Sequence, residues 1–122
     1  MKKLIPLLLL AAPFVVVYSC HHDAVLPEQQ VSFAGDVLPI IQSSCQHSGC
    51  HDTLSTGTFP MIDYNSVMHE GRIVAGKPKE SELYLAVSGE GEEFMPQAPY
   101  PALTDRSLKL IYIWIAQGAK DN

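Results

Sequence analysis

The chain has 122 residues, a length that favours one domain. Thirteen acidic residues against eight basic ones give a formal net charge of −5 at pH 7, which argues against nucleic acid as a partner. The sequence contains no internal repeat, no Gly-rich phosphate loop and no Ser-His-Asp spacing typical of a hydrolase.

The N-terminus has the pattern of an export signal. Two lysines precede an apolar run over residues 4–17, which is short for a membrane span. The run ends in Val17-Tyr18-Ser19-Cys20, the shape of a lipobox, although the tyrosine is bulkier than the usual spacer. We predict a lipoprotein signal peptide over 1–19 and lipid on Cys20. A plain signal or an uncleaved anchor is the alternative.

Lipidation predicts an exported bacterial lipoprotein, held at a membrane by the acyl chains of Cys20 on its periplasmic or cell-surface face. Loss of the two signal lysines leaves six basic against thirteen acidic residues, a formal charge of −7, which favours a partner with a basic docking face. Residues 20–31 are polar and aperiodic and predict a flexible tether. We interpret His21 and His22 as solvated tether residues, with metal binding as the alternative.

The first predicted helix covers residues 36–45. Asp36 is its predicted N-cap, and Pro39 falls in the first turn, where proline is tolerated. Apolar residues recur on one side of this helix, and Cys45 lies at the apolar edge.

Residues 45–51 read CQHSGCH, a C-x4-C-H pattern close to the C-x2-C-H of covalent haem attachment. In that chemistry the two thiols form thioethers with the haem vinyl groups, and the following histidine, here His51, becomes the proximal iron ligand. The two extra residues are accommodated if the loop bulges outward, and Gly49 permits the positive φ this requires. A Cys45–Cys50 disulfide and a zinc site of Cys45, His47, Cys50 and His51 remain alternatives.

Three more helices are predicted after the motif. A short one covers 63–69, and a second begins after Ser81 and stops at Gly89. The last begins after Thr104, stops near Gly118 and carries two apolar stripes, which we expect to pack on the first helix and on a cofactor. A domain of four short helices is only marginally stable unless a cofactor or a cross-link stabilises it, and this favours a buried haem.

The irregular segment between the last two helices, residues 90–101, holds the favoured sixth iron ligand. Met95 is followed by Pro96 in a loop long enough to cross a haem face. Met61, His69 or another histidine, and an open distal site are the alternatives, whereas Met68 is interpreted as a core residue. Glu90, Glu92 and Glu93 are interpreted as a solvated acidic rim rather than as catalytic groups.

With these residues in place, the chain resembles the planctomycete-type cytochrome c domain, within the broad class I cytochrome c fold. The resemblance runs from about Phe33 to Ala119 and is carried by Phe33, Asp36-Val37-Leu38-Pro39-Ile40-Ile41, Cys45, Cys50-His51, Tyr64, Ser81, Leu83-Tyr84, Met95-Pro96, Leu103-Thr104, Trp114-Ile115 and Gly118-Ala119. It implies an all-α domain over 32–122, with about four short helices around one covalent haem c. It also implies thioethers at Cys45 and Cys50 and axial ligation by His51 and Met95.

The function implied is single-electron transfer between redox protein partners, so the chain is expected to be a carrier and not an enzyme. Two other classes of function stay open on the sequence. One is a haem sensor or enzyme with an open distal site. The other is a structural lipoprotein stapled by zinc or by a disulfide.

Overall fold

The computed structural model describes residues 28–54, 56 and 58–122, and every regular element in this part of the chain is a helix. In chain order these are a π-helix (Phe33–Val37), α1 (Leu38–Ser44), α2 (Tyr64–Glu70), a 3-10 helix (Pro78–Glu80), α3 (Glu82–Ser88) and α4 (Asp105–Ala116). The all-α class is therefore confirmed for the described residues. The predicted signal peptide and Cys20 lie outside them.

The first helical segment begins at Phe33, three residues earlier than predicted. Ser32 is its N-cap and accepts a hydrogen bond from the Gly35 N–H, so the assignment of Asp36 as N-cap was wrong. The Asp36 carboxylate instead accepts from the Ser32 N–H at 2.8 Å, which satisfies a further backbone donor at this end. Pro39 is the second residue of α1, in the first turn, where a residue without an N–H costs no regular α-helical bond.

The end of the predicted tether belongs to the packed domain. Val31 is buried, and its N–H donates to the Gln117 side chain at 2.9 Å. The side chain of Asn122 accepts from the Phe33 N–H at 2.8 Å, and its backbone carbonyl accepts from the Ala34 N–H at 2.9 Å. These bonds fasten the start of the domain to its last residues, so ordered packing begins before the boundary at residue 32 that the sequence suggested.

An aromatic cluster joins three helical segments in the core. The ring of Phe33 lies 5.3 Å from those of both Tyr64 and Trp114, a separation typical of favourable aromatic pairs. The buried polar atoms are satisfied, because Trp114 Nε1 donates to the Lys120 carbonyl and the Tyr64 hydroxyl donates to the Ala119 carbonyl, both at 2.9 Å. The π-helix, α2 and α4 are thereby held together.

The predicted short helices are confirmed as α2 and α3. Asp63 caps α2 through the Ser66 N–H, and α3 ends at Gly89, whose φ of 77° lies in the left-handed region. Ser81 precedes α3 as expected, but its hydroxyl makes no cap bond. It is fully buried, donates to the Lys77 carbonyl and accepts from the Val74 N–H, both at 2.9 Å, and so fixes the turn before α3.

The last helix, α4, begins after Thr104 as predicted, with the Thr104 hydroxyl accepting from the Ser107 N–H. It packs against the π-helix, the 3-10 helix and α3. Its buried side chains are Ile111, Ile113, Trp114 and Ile115. Tyr112 of one apolar stripe contacts Tyr84 of α3, and Trp114 of the other contacts Phe33 of the π-helix. The prediction that one face of α4 meets a cofactor stays a prediction. In the described residues no helix is long and apolar enough to cross a membrane.

Candidate cofactor site

One large cleft, of about 940 Å³, brings together the four residues that the sequence singled out for a cofactor. Cys45, Cys50, His51 and Met95 all line it, although 44 positions separate His51 from Met95. The volume lies near the top of the range of roughly 300–1,000 Å³ that is usual for cofactor and ligand sites. Apolar wall is supplied by side chains that include Met61, Leu83, Leu85, Val87 and Pro96.

Residues 45–51, here called the attachment loop, form a closed turn. The His51 N–H donates to the Cys45 carbonyl at 3.1 Å, and inside this ring the Cys50 N–H donates to the His47 carbonyl at 2.8 Å. Gly49 has φ 81°, the positive φ that the sequence predicted at this position, and it is exposed. Cys45 is buried and Cys50 half-buried, and both sulfur-bearing side chains line the cleft.

The His51 ring is oriented by a backbone carbonyl. Its Nδ1 lies 2.9 Å from the Phe59 oxygen. Because a carbonyl oxygen only accepts, Nδ1 is the donor in this contact, and in the neutral imidazole Nε2 is then the nitrogen with the lone pair. Histidines that bind metals are usually held in this way, with the second ring nitrogen donating to a carbonyl or carboxylate. The Phe59 ring packs beside the imidazole at a centroid separation of 4.9 Å.

The segment that presents this carbonyl is fixed by the attachment loop itself. The Met61 N–H donates to the His51 carbonyl at 3.0 Å, and the Gln46 side chain donates to the Met61 carbonyl at 2.7 Å. The Thr58 hydroxyl also donates to the Cys50 carbonyl. Met61 is therefore tied by its backbone to the segment that carries His51, which disfavours it as a ligand opposite that histidine.

Met95 comes from a different part of the fold. Its N–H donates to the Ala86 carbonyl at 3.0 Å, which folds the segment after α3 back onto the last turn of that helix. Met95 is half-buried and the following Pro96 is buried. The other candidates, Met68 and His69, are not among the residues that line the cleft, and the His69 ring is exposed beside Glu70.

The charged lining of the cleft is mostly acidic. It consists of Glu70, Arg72, Glu82, Glu90, Glu92 and Glu93. Arg72 is paired with Glu82 at 2.6 Å, and Glu90 lies 3.4 Å from the Lys79 ammonium outside the cleft. The three glutamates expected to form an acidic rim do line the cleft, and Glu70 and Glu82 extend this lining beyond what the sequence indicated.

The two cysteines are free thiols in this structure. Burial raises the pKa of the Cys45 thiol to about 11, with a smaller contribution from Cys50. A thiol that stays protonated at neutral pH is a poor nucleophile and a poor zinc ligand. Among the described residues, no three His, Cys, Asp or Glu side chains are grouped to hold a metal ion, so the zinc alternative gains no support from the geometry.

Two aromatic residues at the site were not identified from the sequence. Phe59 orients His51, and Tyr100, ahead of α4, stacks on His47. Each contact joins segments that are distant in sequence or that lie outside helices, so no periodic sequence pattern predicts it. The sequence signal that could have identified these two residues is an aromatic side chain directly before a proline, as in Phe59-Pro60 and Tyr100-Pro101.

No protein-family model, curated protein or solved structure matches this chain. The functional assignment therefore depends on the residues of the cleft and on their chemistry.

Proposed function

We propose that this protein is a membrane-tethered, monohaem c-type cytochrome that carries single electrons between redox partners outside the cytoplasm. One observation carries the proposal. Two thiols, an oriented imidazole and a thioether line a single cleft of about 940 Å³. Thiols for covalent attachment and a His/Met pair for the iron are the donor set that a c-type haem takes.

The residues of the cleft fit such a group. Cys45 and Cys50 would hold it through thioethers, and His51 and Met95 would be its axial ligands. When bound, haem c supplies an iron that accepts and releases one electron. The His51 Nδ1–H···O bond to Phe59 leaves Nε2 free to bind the iron, and a backbone carbonyl, unlike a carboxylate, adds no charge behind the ring.

The other residues exclude water and shape the surface. Leu83, Val87 and Pro96 are buried and line the cleft. They would shield the apolar surface of the haem macrocycle from water. An iron with a protein ligand on each side has no free position for a substrate or a gas, which favours a carrier over a sensor or an enzyme.

A reductive titration tests this function directly. Purified protein should take up and release one electron per chain reversibly, with isosbestic conversion between two absorption spectra. Irreversible reduction, or a ferrous form that binds carbon monoxide at once, would favour the sensor or enzyme alternative.

The acidic lining should steer a positively charged redox partner. Glu92 and Glu93 are exposed at the cleft, whereas Glu90 is near Lys79. Replacing Glu92 and Glu93 by Gln should slow oxidation of the reduced protein by a cationic cobalt complex roughly 3- to 10-fold at low ionic strength. The difference should vanish near 1 M salt, where the Debye length is about 3 Å.

Two internal comparisons sharpen this test. Oxidation by anionic ferricyanide should become faster in the same variant, because the sign of the reagent is reversed. Replacing Glu28 and Asp121 by their amides removes the same charge at exposed positions outside the cleft lining and should have little effect. Equal slowing by both pairs would mean that only net charge matters.

The membrane anchor is a separate proposal, since Cys20 lies outside the described residues. Cys20→Ala should leave an unprocessed, unacylated precursor, because the lipid-bearing thiol is missing. Metabolic labelling with a radioactive fatty acid measures this, with the wild-type chain as the positive control. Normal labelling of the variant would show that another residue carries the lipid.

A further inference from the structure

The His47 and Tyr100 rings, which both line the cleft, are stacked face to face. Their centroids are 3.8 Å apart and their planes differ by 4°. Both residues line the cleft, with His47 half-buried and Tyr100 at its exposed edge. This contact joins two segments that are separated by more than 50 positions in the chain.

The two rings belong to the two loops that would hold opposite sides of the iron. His47 is one of the four residues between the cysteines of the attachment loop. Tyr100 belongs to residues 94–101, here called the methionine loop, which carries Met95. The attachment loop therefore provides a ring that reaches the methionine loop.

The methionine loop is attached at its start and at its end by different means. At the start, the Met95 N–H bonds to the Ala86 carbonyl, and Pro96 is buried. Further along, the Tyr100 N–H donates to the Gln97 carbonyl, a bond internal to the loop. The stack on His47 extends from this turn to the attachment loop and restrains the exposed half of the methionine loop.

We propose that His47 and Tyr100 are positioning residues that form a latch, which holds the methionine loop closed and keeps Met95 on the iron. This rests on the proposed function, in which Met95 is the distal ligand. The latch controls how often that ligand leaves and admits a small exogenous ligand.

Cyanide binding to the ferric protein tests the latch. Its second-order rate constant scales with the fraction of molecules whose methionine loop is open. Tyr100→Ala and His47→Ala should each raise that rate constant about 3- to 10-fold, the range expected for loss of an aromatic pair. Tyr100→Phe keeps the ring and should bind cyanide at close to the wild-type rate.

The double variant His47→Ala/Tyr100→Ala separates a latch from two independent effects. If the rings act through each other, the double variant should be no faster than either single variant. The latch would be overturned if the increase in the double variant equalled the product of the two single-variant increases. It would also be overturned if both single variants bound cyanide at the wild-type rate. The far-red His/Met absorption band of each ferric variant, recorded without cyanide, shows that the site is assembled.

Failure of the latch is distinguishable from failure of the proposed function. Wild-type protein that lacks haem or the far-red band refutes His/Met ligation, and the latch falls with it. If wild-type protein shows the band but neither the His47 nor the Tyr100 substitution changes the rate of cyanide binding, only the latch is refuted.

Discussion

Met95→Leu is expected to make the ferrous protein bind carbon monoxide readily and to abolish the far-red absorption band of the ferric form. Leucine keeps the apolar volume beside the buried Pro96 but has no thioether, so the iron would lose one ligand while the methionine loop keeps its packing. The reduction potential should fall by roughly 0.1 V or more, since axial ligands set haem potentials over a range of about 0.8 V. Absorption spectroscopy and a potentiometric titration measure all three effects.

The matched controls are Met61→Leu and Met68→Leu. Met61 lines the cleft, but its backbone is bonded to His51, and Met68 packs against the core outside the cleft. Neither change should alter the band, the potential or carbon monoxide binding. If Met61→Leu abolished the band and Met95→Leu preserved it, the assignment of the distal ligand would be reversed.

The second large effect is expected at the two thiols. In Cys45→Ala/Cys50→Ala, haem retained after acid–acetone extraction should drop from nearly all to nearly none, because both proposed thioether positions are gone. Each single variant should still retain haem through the remaining sulfur, although in smaller yield. Haem staining of denatured protein provides an independent readout.

Ser48→Ala is the control for this experiment. Ser48 lies in the attachment loop between the two cysteines, is exposed and does not line the cleft. Its replacement should leave haem retention unchanged. Loss of haem in this control would mean that damage to the loop, and not loss of the thiols, explains the double variant.

The parts of the fold that the sequence predicted depend on local rules. The left-handed turn of the attachment loop at Gly49 was predictable, because few other residues adopt a φ of 81° without strain. The start of α4 follows from Thr104, whose hydroxyl accepts an N–H that has no partner within the helix. Residues 90–101 contain prolines and no helical period, and they form no helix.

The parts that the sequence missed depend on long-range contacts. The π-helix was missed because its wide turn leaves the apolar spacing ambiguous, and Ser32 lay outside the expected helix. The Phe59 carbonyl, which orients His51, is a backbone group available at any residue. The partners of the two apolar stripes of α4 were not predictable, because a one-dimensional pattern does not specify what covers each side. Trp114 contacts Phe33, and Tyr112 contacts Tyr84 of α3.

Acid–acetone extraction of wild-type protein, matured in an oxidising export compartment, tests the central claim most directly. The proposed attachment through Cys45 and Cys50 predicts that one haem per chain stays with the denatured polypeptide. Release of all haem into the acetone phase, or a stoichiometric zinc ion in place of haem, would contradict it.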